Sequence, residues 1–312
     1  VVAAWVGGPS MAAGVQRLER AGVPTYATPD AAIRAFSALV RVTRHREILH
    51  ETPREVVRSI DARTWRERSL FEAVGSAGAS LPDAAAGDGE GDGDVAADAD
   101  VVVLTEVESK HVLADYGLTV NRTEPAATAD EAVAVAERLG YPVVLKVRSR
   151  QITHKTDVGG VALGVHGADA VRGAFDRIVR SSREARPDAV VDGVSVQRMV
   201  ASAKSMELIL GARTDPTFGP AIMIGAGGIL AELYQDRAVG LPPLNERLAR
   251  HMLESLRAWP LLTGFRGRPP LDVDAVIEQV IRFSELVADH PEVAEIDVNP
   301  LLVTPSEAVA LD

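Results

Sequence analysis

Lys146 lies inside the apolar run Val143-Val144-Leu145-Lys146-Val147. An ammonium among such neighbours costs several kcal/mol unless an anion pairs with it. A phosphate would be such a partner; an internal carboxylate would serve as well, or the side chain could snorkel from a strand end. Composition sharpens the question, because the chain holds four lysines, Lys110, Lys146, Lys155 and Lys204, against 29 arginines. A second group is the polar run Ser149-Arg150-Gln151-Ile152-Thr153-His154-Lys155-Thr156-Asp157-Val158-Gly159-Gly160-Val161. It combines an imidazole, cations, hydroxyls and a glycine pair that lets backbone approach a ligand. His154 could be a nucleophile, a general base or an ordinary loop residue.

Two further groups complete the inventory. Gly225-Ala226-Gly227-Gly228-Ile229 follows an apolar strand and precedes Glu232. Such turns cradle phosphates through backbone N–H groups or simply reverse the chain. The run fits neither the phosphate loop that ends in Gly-Lys-Ser/Thr nor the dinucleotide-binding glycine spacing. Glu295-Ile296-Asp297-Val298-Asn299-Pro300-Leu301 places Glu295, Asp297 and Asn299 on one face of an extended segment. With Asp312 returning from the next strand, these oxygens suit a hard cation such as Mg²⁺; the alternative is a solvated strand face. A core lysine, a glycine turn and an oxygen-rich strand suit nucleotide phosphate chemistry, in which the protein positions charge and a metal neutralises it.

The elements that must position these groups alternate between α and β. Val1 to Gly8 reads as a buried strand entering a glycine turn, with neither an initiator Met nor a basic leader before it. A parallel strand needs neighbours, so the expectation is a fragment of something longer. A helix with Val15, Leu18 and Ala21, a strand at Val23 to Tyr26 and a helix from Thr28-Pro29-Asp30 through Val40 follow. They read as the closing part of a doubly wound domain. Further on, Thr105-Glu106-Val107-Glu108 and Thr128-Ala129-Asp130-Glu131 are capping-box helix starts. Strands are expected at 118–120, 143–147, 161–165 and 194–200, with an antiparallel pair at 206–211 and 220–224. Helices are expected at 168–182, 246–258 and 274–288, before a terminal strand pair at 293–296 and 301–304 and a strand at 308–311. Clustered strands after alternation argue for an α+β domain in two lobes.

Composition removes several classes. With 312 residues, a net charge of −11, no cysteine and 46% apolar residues, the chain suits a multidomain globular protein. It has no disulfides, thiolate metal sites or cysteine nucleophiles. The acidity disfavours a general nucleic-acid or membrane binder. No apolar stretch nears the roughly 20 residues of a spanning helix. Residues 75–100 are almost wholly Gly, Ala, Asp and Glu, which reads as a flexible acidic tether. The alternating acids do not form a calcium loop, since position twelve counted from Asp88 is Ala99. Residues 83–100 supply seven acids and no base, so the rest of the chain carries a net −4.

The runs Leu104-Thr105-Glu106, Val144-Leu145-Lys146-Val147, His154-Lys155-Thr156-Asp157-Val158-Gly159-Gly160-Val161, Gly225-Ala226-Gly227-Gly228 and Glu295 to Leu301 resemble one family. They are similar to the ATP-grasp domain of the NDP-forming acyl-CoA synthetases, in particular ADP-forming acetate:CoA ligase, with succinyl-CoA synthetase more distant. The resemblance implies three parts. Residues 1–50 would be the C-terminal end of a flavodoxin-like CoA-ligase domain, 51–100 a linker, and 101–312 a two-lobed α+β ATP-grasp domain. It implies ATP or ADP and Mg²⁺ as cofactors, and acyl-CoA reacting with ADP and phosphate to give acid, CoA and ATP. By the same resemblance Lys146 would contact the nucleotide phosphates, and Gln197, Arg198 and Met199 would form the hinge whose backbone reads adenine. Glu207, Gly227 and Gly228 would line the nucleotide pocket, Asp297, Asn299 and Asp312 would be the magnesium side, and His154 a second phosphohistidine.

The CoA-binding domain and the loop with the first phosphohistidine do not occur in these residues. CoA and the carboxylic acid would then be handled by domains in cis or on a partner subunit, in a cytoplasmic oligomer, without nucleic acid or membrane. Two alternatives stand beside this expectation. One is a regulatory synthetase-like module of a protein acetyltransferase. The other is an ATP-grasp ligase joining an acid to an amine, which would have no use for His154.

Overall fold

A computed structural model describes residues 1–49 except 5, and residues 102–312 except 201–203 and 229–234. The expected acidic tether lies outside the described residues. The chain divides into two units, Val1–Val57 and Arg58–Asp312.

In the first unit β1 (Ala3–Ala4) pairs in parallel with β2 (Thr25–Tyr26). Helices α1 (Ala12–Arg20) and α2 (Pro29–Leu49) flank the pair. The parallel β-α-β-α reading holds, but the expected buried strand shrinks to two residues, and Val1 and Val6 are exposed. Two strands of two residues cannot cover six apolar ones. The helix expected to end at Val40 runs on to Leu49, since no glycine or proline interrupts it.

In the second unit, helix α3 (Glu106–Asp115) starts with the expected capping box: Thr105 Oγ1 accepts from the Glu108 N–H, and the Glu108 carboxylate accepts from the Thr105 N–H at 2.7 Å. Next come β3 (Thr123–Ala126), α4 (Ala129–Leu139), β4 (Val143–Val147), β5 (Val161–Val165), α5 (Ala168–Ala185) and β6 (Val194–Arg198). Their four strands form one antiparallel sheet in the order β3-β6-β4-β5. Leu145, Val147, Val194 and Val196 on one face pack against α4 and α5 with Ala132, Ala136, Phe175 and Ile178. At α4 the expected capping box is half formed. Thr128 caps Glu131, whose own carboxylate reaches the Ala127 N–H instead.

The rest builds a second antiparallel sheet in the order β11-β10-β7-β8-β9. It comprises β7 (Met206–Asp215), β8 (Gly219–Ala226), β9 (Arg237–Gly240), β10 (Glu295–Val303) and β11 (Ala308–Ala310). Helices α6 (Glu246–Ser255), α7 (Trp259–Thr263) and α8 (Val273–Asp289) complete this part. Leu208, Leu210, Ile222, Ile224, Val298 and Leu301 form a separate core with Leu253 and Phe283. Two cores and two sheets are the expected two lobes. Val112 and Leu113 of α3 join this second core.

Three expectations change. The strand expected at 118–120 is a single bridge from Val120 to Ala310, and regular pairing starts at Thr123. The segments 293–296 and 301–304 are not a strand pair. They belong to one strand, β10, which runs along β7 and is interrupted by a register shift between Val298 and Leu301. There Asn299-Pro300 breaks the pattern, and proline cannot donate to a ladder. The helix expected over 246–258 ends at Ser255, and a separate short helix, α7, starts beyond the expected span with Pro260 in its first turn.

Candidate active site

On β4 and β6, the side chains opposite the core are Lys146, Ser195 and Gln197, and the start of α3 lies over them. Glu106, the first residue of that helix, is the hub. Its Oε1 accepts from Lys110 Nζ at 2.8 Å and from Lys146 Nζ at 2.9 Å. Its Oε2 accepts from Lys155 Nζ at 3.3 Å and from Ser195 Oγ at 3.4 Å. Asp312 closes the cluster, with Oδ2 at 3.1 Å from Lys146 and Oδ1 at 2.9 Å from Lys155. Three of the chain's four lysines therefore meet at one carboxylate.

Lys110 also donates to Thr123 Oγ1, Gln197 Oε1 and the Leu311 carbonyl, so its ammonium is wholly committed inside the protein. Lys146 donates to the Leu311 carbonyl at 3.1 Å besides its two carboxylates. Lys155 is held by the two carboxylates and is more open than the other two lysines. Burial opposes ionisation of Glu106, but Lys146, Lys110 and Lys155 outweigh it and hold the carboxyl far below the usual glutamate range. Burial draws Lys110 down, aided by Lys146, against the pull of Glu106. For Lys155 burial acts in the same sense, yet Glu106 and Asp312 together raise it. Lys146 thus has the internal carboxylate partners that were one of its readings.

The loop from 148 to 160 joins β4 to β5 and carries His154, whose side chain is exposed. Its neighbours are anchored. Lys155 is pinned by Glu106 and Asp312, and its carbonyl accepts from the Gly160 N–H at 2.8 Å. Arg150 Nη2 reaches Glu108 Oε1 at 2.6 Å. A methyl group added at Gly160 would stand 2.6 Å from Val147 Cγ1 and 2.7 Å from the Lys155 carbonyl oxygen, so the close return of this loop requires glycine.

On the other sheet, β10 carries Glu295, Asp297 and Asn299, the oxygen side chains expected on one face. Asp297 pairs in register with Gly211, and a methyl group at Gly211 would come within 3.0 Å of Asp297 Oδ1. Asn299 hydrogen-bonds to Asp297, and its N–H donates to the Asp312 carbonyl at 3.2 Å. Partial desolvation of the Asp297 carboxyl beside the sheet, followed by the charges of Glu295 and Asp312, raises its pKa, although the residue stays exposed. Both oxygens of Asp312 are already held by Lys146 and Lys155, which leaves the Asp297 carboxylate and the Asn299 amide as the oxygen donors a divalent cation would meet. Among the described residues no group of three His, Cys, Asp or Glu side chains is arranged to hold a metal. The donor set therefore depends on the Asn299 amide.

Glu207, Gly227 and Gly228 come together at the end of β8. The Gly227 N–H donates to the Glu207 carbonyl at 2.8 Å, and a methyl group at Gly228 would meet Glu207 Oε2 at 3.2 Å. They line a cleft of about 720 Å³ with Lys204, Arg257 and Arg268, a volume suited to a nucleotide-sized ligand. Lys146, Gln197, Arg198 and Met199 do not line it. Gln197 is buried with its amide oxygen on Lys110 and Thr123, Arg198 is exposed with its carbonyl on Asn121, and Met199 donates its N–H to Pro142. Sequence reasoning missed Glu106, Lys110 and Lys155 as site residues, although the scarcity of lysine was the signal that could have found them.

The second unit is thus two lobes of antiparallel sheet, each with its own core, with charged side chains carried by both. Residues 95–312 match the family model described as ATP-grasp domain. Over its whole length the chain is 34% identical to "Acetate--CoA ligase [ADP-forming] I" of Archaeoglobus fulgidus, of which it spans 41%. It is 37% identical over 67% of its length to the beta subunit of "Acetate--CoA ligase [ADP-forming] I" of Pyrococcus furiosus, of which it spans 89%. A solved structure from Ca. Korarchaeum cryptofilum, a dinucleotide forming acetyl-coenzyme A synthetase 1 in complex with coenzyme A, Ca-AMPCP and HgCl+, superposes with a TM-score of 0.69 at 32% identity. That match covers 79% of this chain and 97% of the other. The chain belongs to the ATP-grasp family, in the branch of the ADP-forming acyl-CoA synthetases. Among the described residues no helix is long and apolar enough to cross a membrane.

Proposed function

We propose that this chain is the nucleotide-binding part of an ADP-forming acyl-CoA synthetase, in which His154 carries a phosphoryl group to and from the nucleotide. The observation that carries the reading is an exposed imidazole on a loop whose next residue is pinned to the same carboxylates as Lys146. Its relatives bear the names of ADP-forming ligases. In the direction of ATP formation, a terminal oxygen of ADP attacks phosphorus on the phosphorylated His154. The new P–O bond forms as the N–P bond breaks, and the electron pair returns to the imidazole nitrogen. Glu207, Gly227 and Gly228 line the nucleotide pocket, while Lys146, already held by Glu106, Asp312 and the Leu311 carbonyl, supplies positive charge for the phosphates. The paired backbone of Gln197 to Met199 leaves the base to other groups. Asp297 and Asn299 would hold Mg²⁺, which supplies charge neutralisation between the phosphates when bound.

CoA and the carboxylic acid belong, in this reading, to the parts of the longer relatives that lie outside the matched region, in cis or on a partner subunit. That one relative is named as a beta subunit supports the second arrangement. The test is incubation of the chain with Mg²⁺ and ATP labelled in the γ-phosphate. The expected product is acid-labile, base-stable label that disappears in His154→Ala. Nucleotide binding without such label in the unsubstituted chain overturns the phosphoryl-carrier reading and favours a sensing module.

A further inference from the structure

Two carboxylates, Glu106 and Asp312, each hold both halves of the proposed transfer site, and Glu106 is the more deeply buried of the two. Its Oε1 holds Lys146, on the strand proposed to meet the nucleotide phosphates. Its Oε2 holds Lys155, which directly follows His154. The carboxylate is 5% exposed, so solvent does not compete for these contacts. It sits on the first turn of α3, where the helix dipole favours a negative charge. The helix is itself fixed by its capping box, by the Arg150–Glu108 ion pair and by Val112 and Leu113 in the core of the larger lobe. Lys110 and Ser195 complete the carboxylate's contacts from α3 and β6, and Asp312 bridges the same two lysines from the far side.

We propose that Glu106 is a positioning residue for phosphoryl transfer: one carboxylate registers the phosphate-facing lysine of β4 and the loop of the acceptor histidine to each other. The inference rests on His154 being the phosphoryl acceptor. Glu106 itself touches no reacting atom; it acts through Lys146 and Lys155. In-line transfer requires donor and acceptor at a fixed separation, and a displacement of the order of 1 Å costs about 10²-fold in rate.

The test compares the full chain with Glu106→Gln, Glu106→Asp and Lys155→Gln, each first shown to be folded by its thermal transition. Two quantities are read: the Kd of a non-hydrolysable Mg-ATP analogue, and the rate of His154 labelling from labelled ATP at saturating nucleotide. Glu106→Gln is expected to slow labelling by about 10²-fold while weakening the analogue by less than about 10-fold. Glu106→Asp, which keeps the charge, should recover part of the rate. Lys155→Gln breaks the loop arm alone, so it should slow labelling with the analogue Kd unchanged, and it keeps the test open if Glu106→Gln does not fold. Labelling at the unsubstituted rate in Lys155→Gln, or rate and affinity lost in equal measure in Glu106→Gln, overturns the inference and leaves the carrier reading standing. An unsubstituted chain that takes no label on His154 removes both.

Discussion

Lys110 Nζ donates to Gln197 Oε1 at 2.7 Å, joining α3 to the first residue of the expected hinge, near the end of β6. The same ammonium holds Glu106 at 2.8 Å, and both side chains of that pair are almost fully buried. Removing one member of a buried pair leaves the other charge without compensation. Lys110→Met should therefore lower the unfolding free energy by about 3–5 kcal/mol. Urea denaturation checks this, and a loss below about 1 kcal/mol would show that Lys146 and Lys155 satisfy Glu106 without help.

Acid should act on the same cluster. Burial favours the neutral form of Glu106, but Lys146, Lys110 and Lys155 overcome it and hold its carboxyl well below the ordinary glutamate range. The unfolded chain then binds a proton at a higher pH than the folded one. The stabilisation is complete above the ordinary glutamate pKa and is lost as pH falls towards the depressed one. Thermal transitions measured between about pH 6 and pH 3 should fall more steeply for the unsubstituted chain than for Glu106→Gln. Parallel slopes would sink this account of the acid limb.

Gly160 tests the loop from the backbone side. Its position leaves 2.6 Å to Val147 Cγ1 and 2.7 Å to the Lys155 carbonyl for any added methyl group. Neither the sheet residue nor the peptide can give way cheaply. Gly160→Ala is expected to cost about 1–3 kcal/mol in stability. Because Lys155 must shift, labelling of His154 should also slow, while binding of a nucleotide analogue is retained. An unchanged labelling rate would mean that the loop relaxes without moving its histidine.

Much of this architecture was legible because local signals and tertiary demands agree. The capping residues Thr105 and Thr128 start their helices where sequence places them, and Val143 to Val147 forms a strand over its expected span. What escaped was set by packing at a distance. Thr105-Glu106-Val107-Glu108 reads as a helix start, and nothing local tells that Glu106 rather than Glu108 points inward to three lysines from three elements. Lys155 looks like one more charge in a polar run until Asp312, 157 positions later, is brought to it. Likewise β9 carries four residues with little apolar patterning and exists because β8 offers it an edge. The oxygen face of β10 was readable from period two alone, since its alternation survives up to the Asn299-Pro300 interruption.

That oxygen face supplies the remaining prediction. Asp297 is crowded by Glu295 and Asp312 and takes a hydrogen bond from Asn299, while Gly211 leaves the space beside its Oδ1 free of a side chain. Neutralising Asp297 relieves that crowding, so Asp297→Asn should fold at least as stably as the unsubstituted chain. It also removes a charged donor for a hard cation. The Mg²⁺ concentration at half-maximal binding of an ATP analogue should therefore rise roughly 10-fold or more, with binding in excess EDTA nearly unchanged. Titration calorimetry at fixed nucleotide and varied Mg²⁺ reads both quantities. A variant whose Mg²⁺ dependence matches the unsubstituted chain would place the cation elsewhere and leave Asp297 as a solvated strand residue.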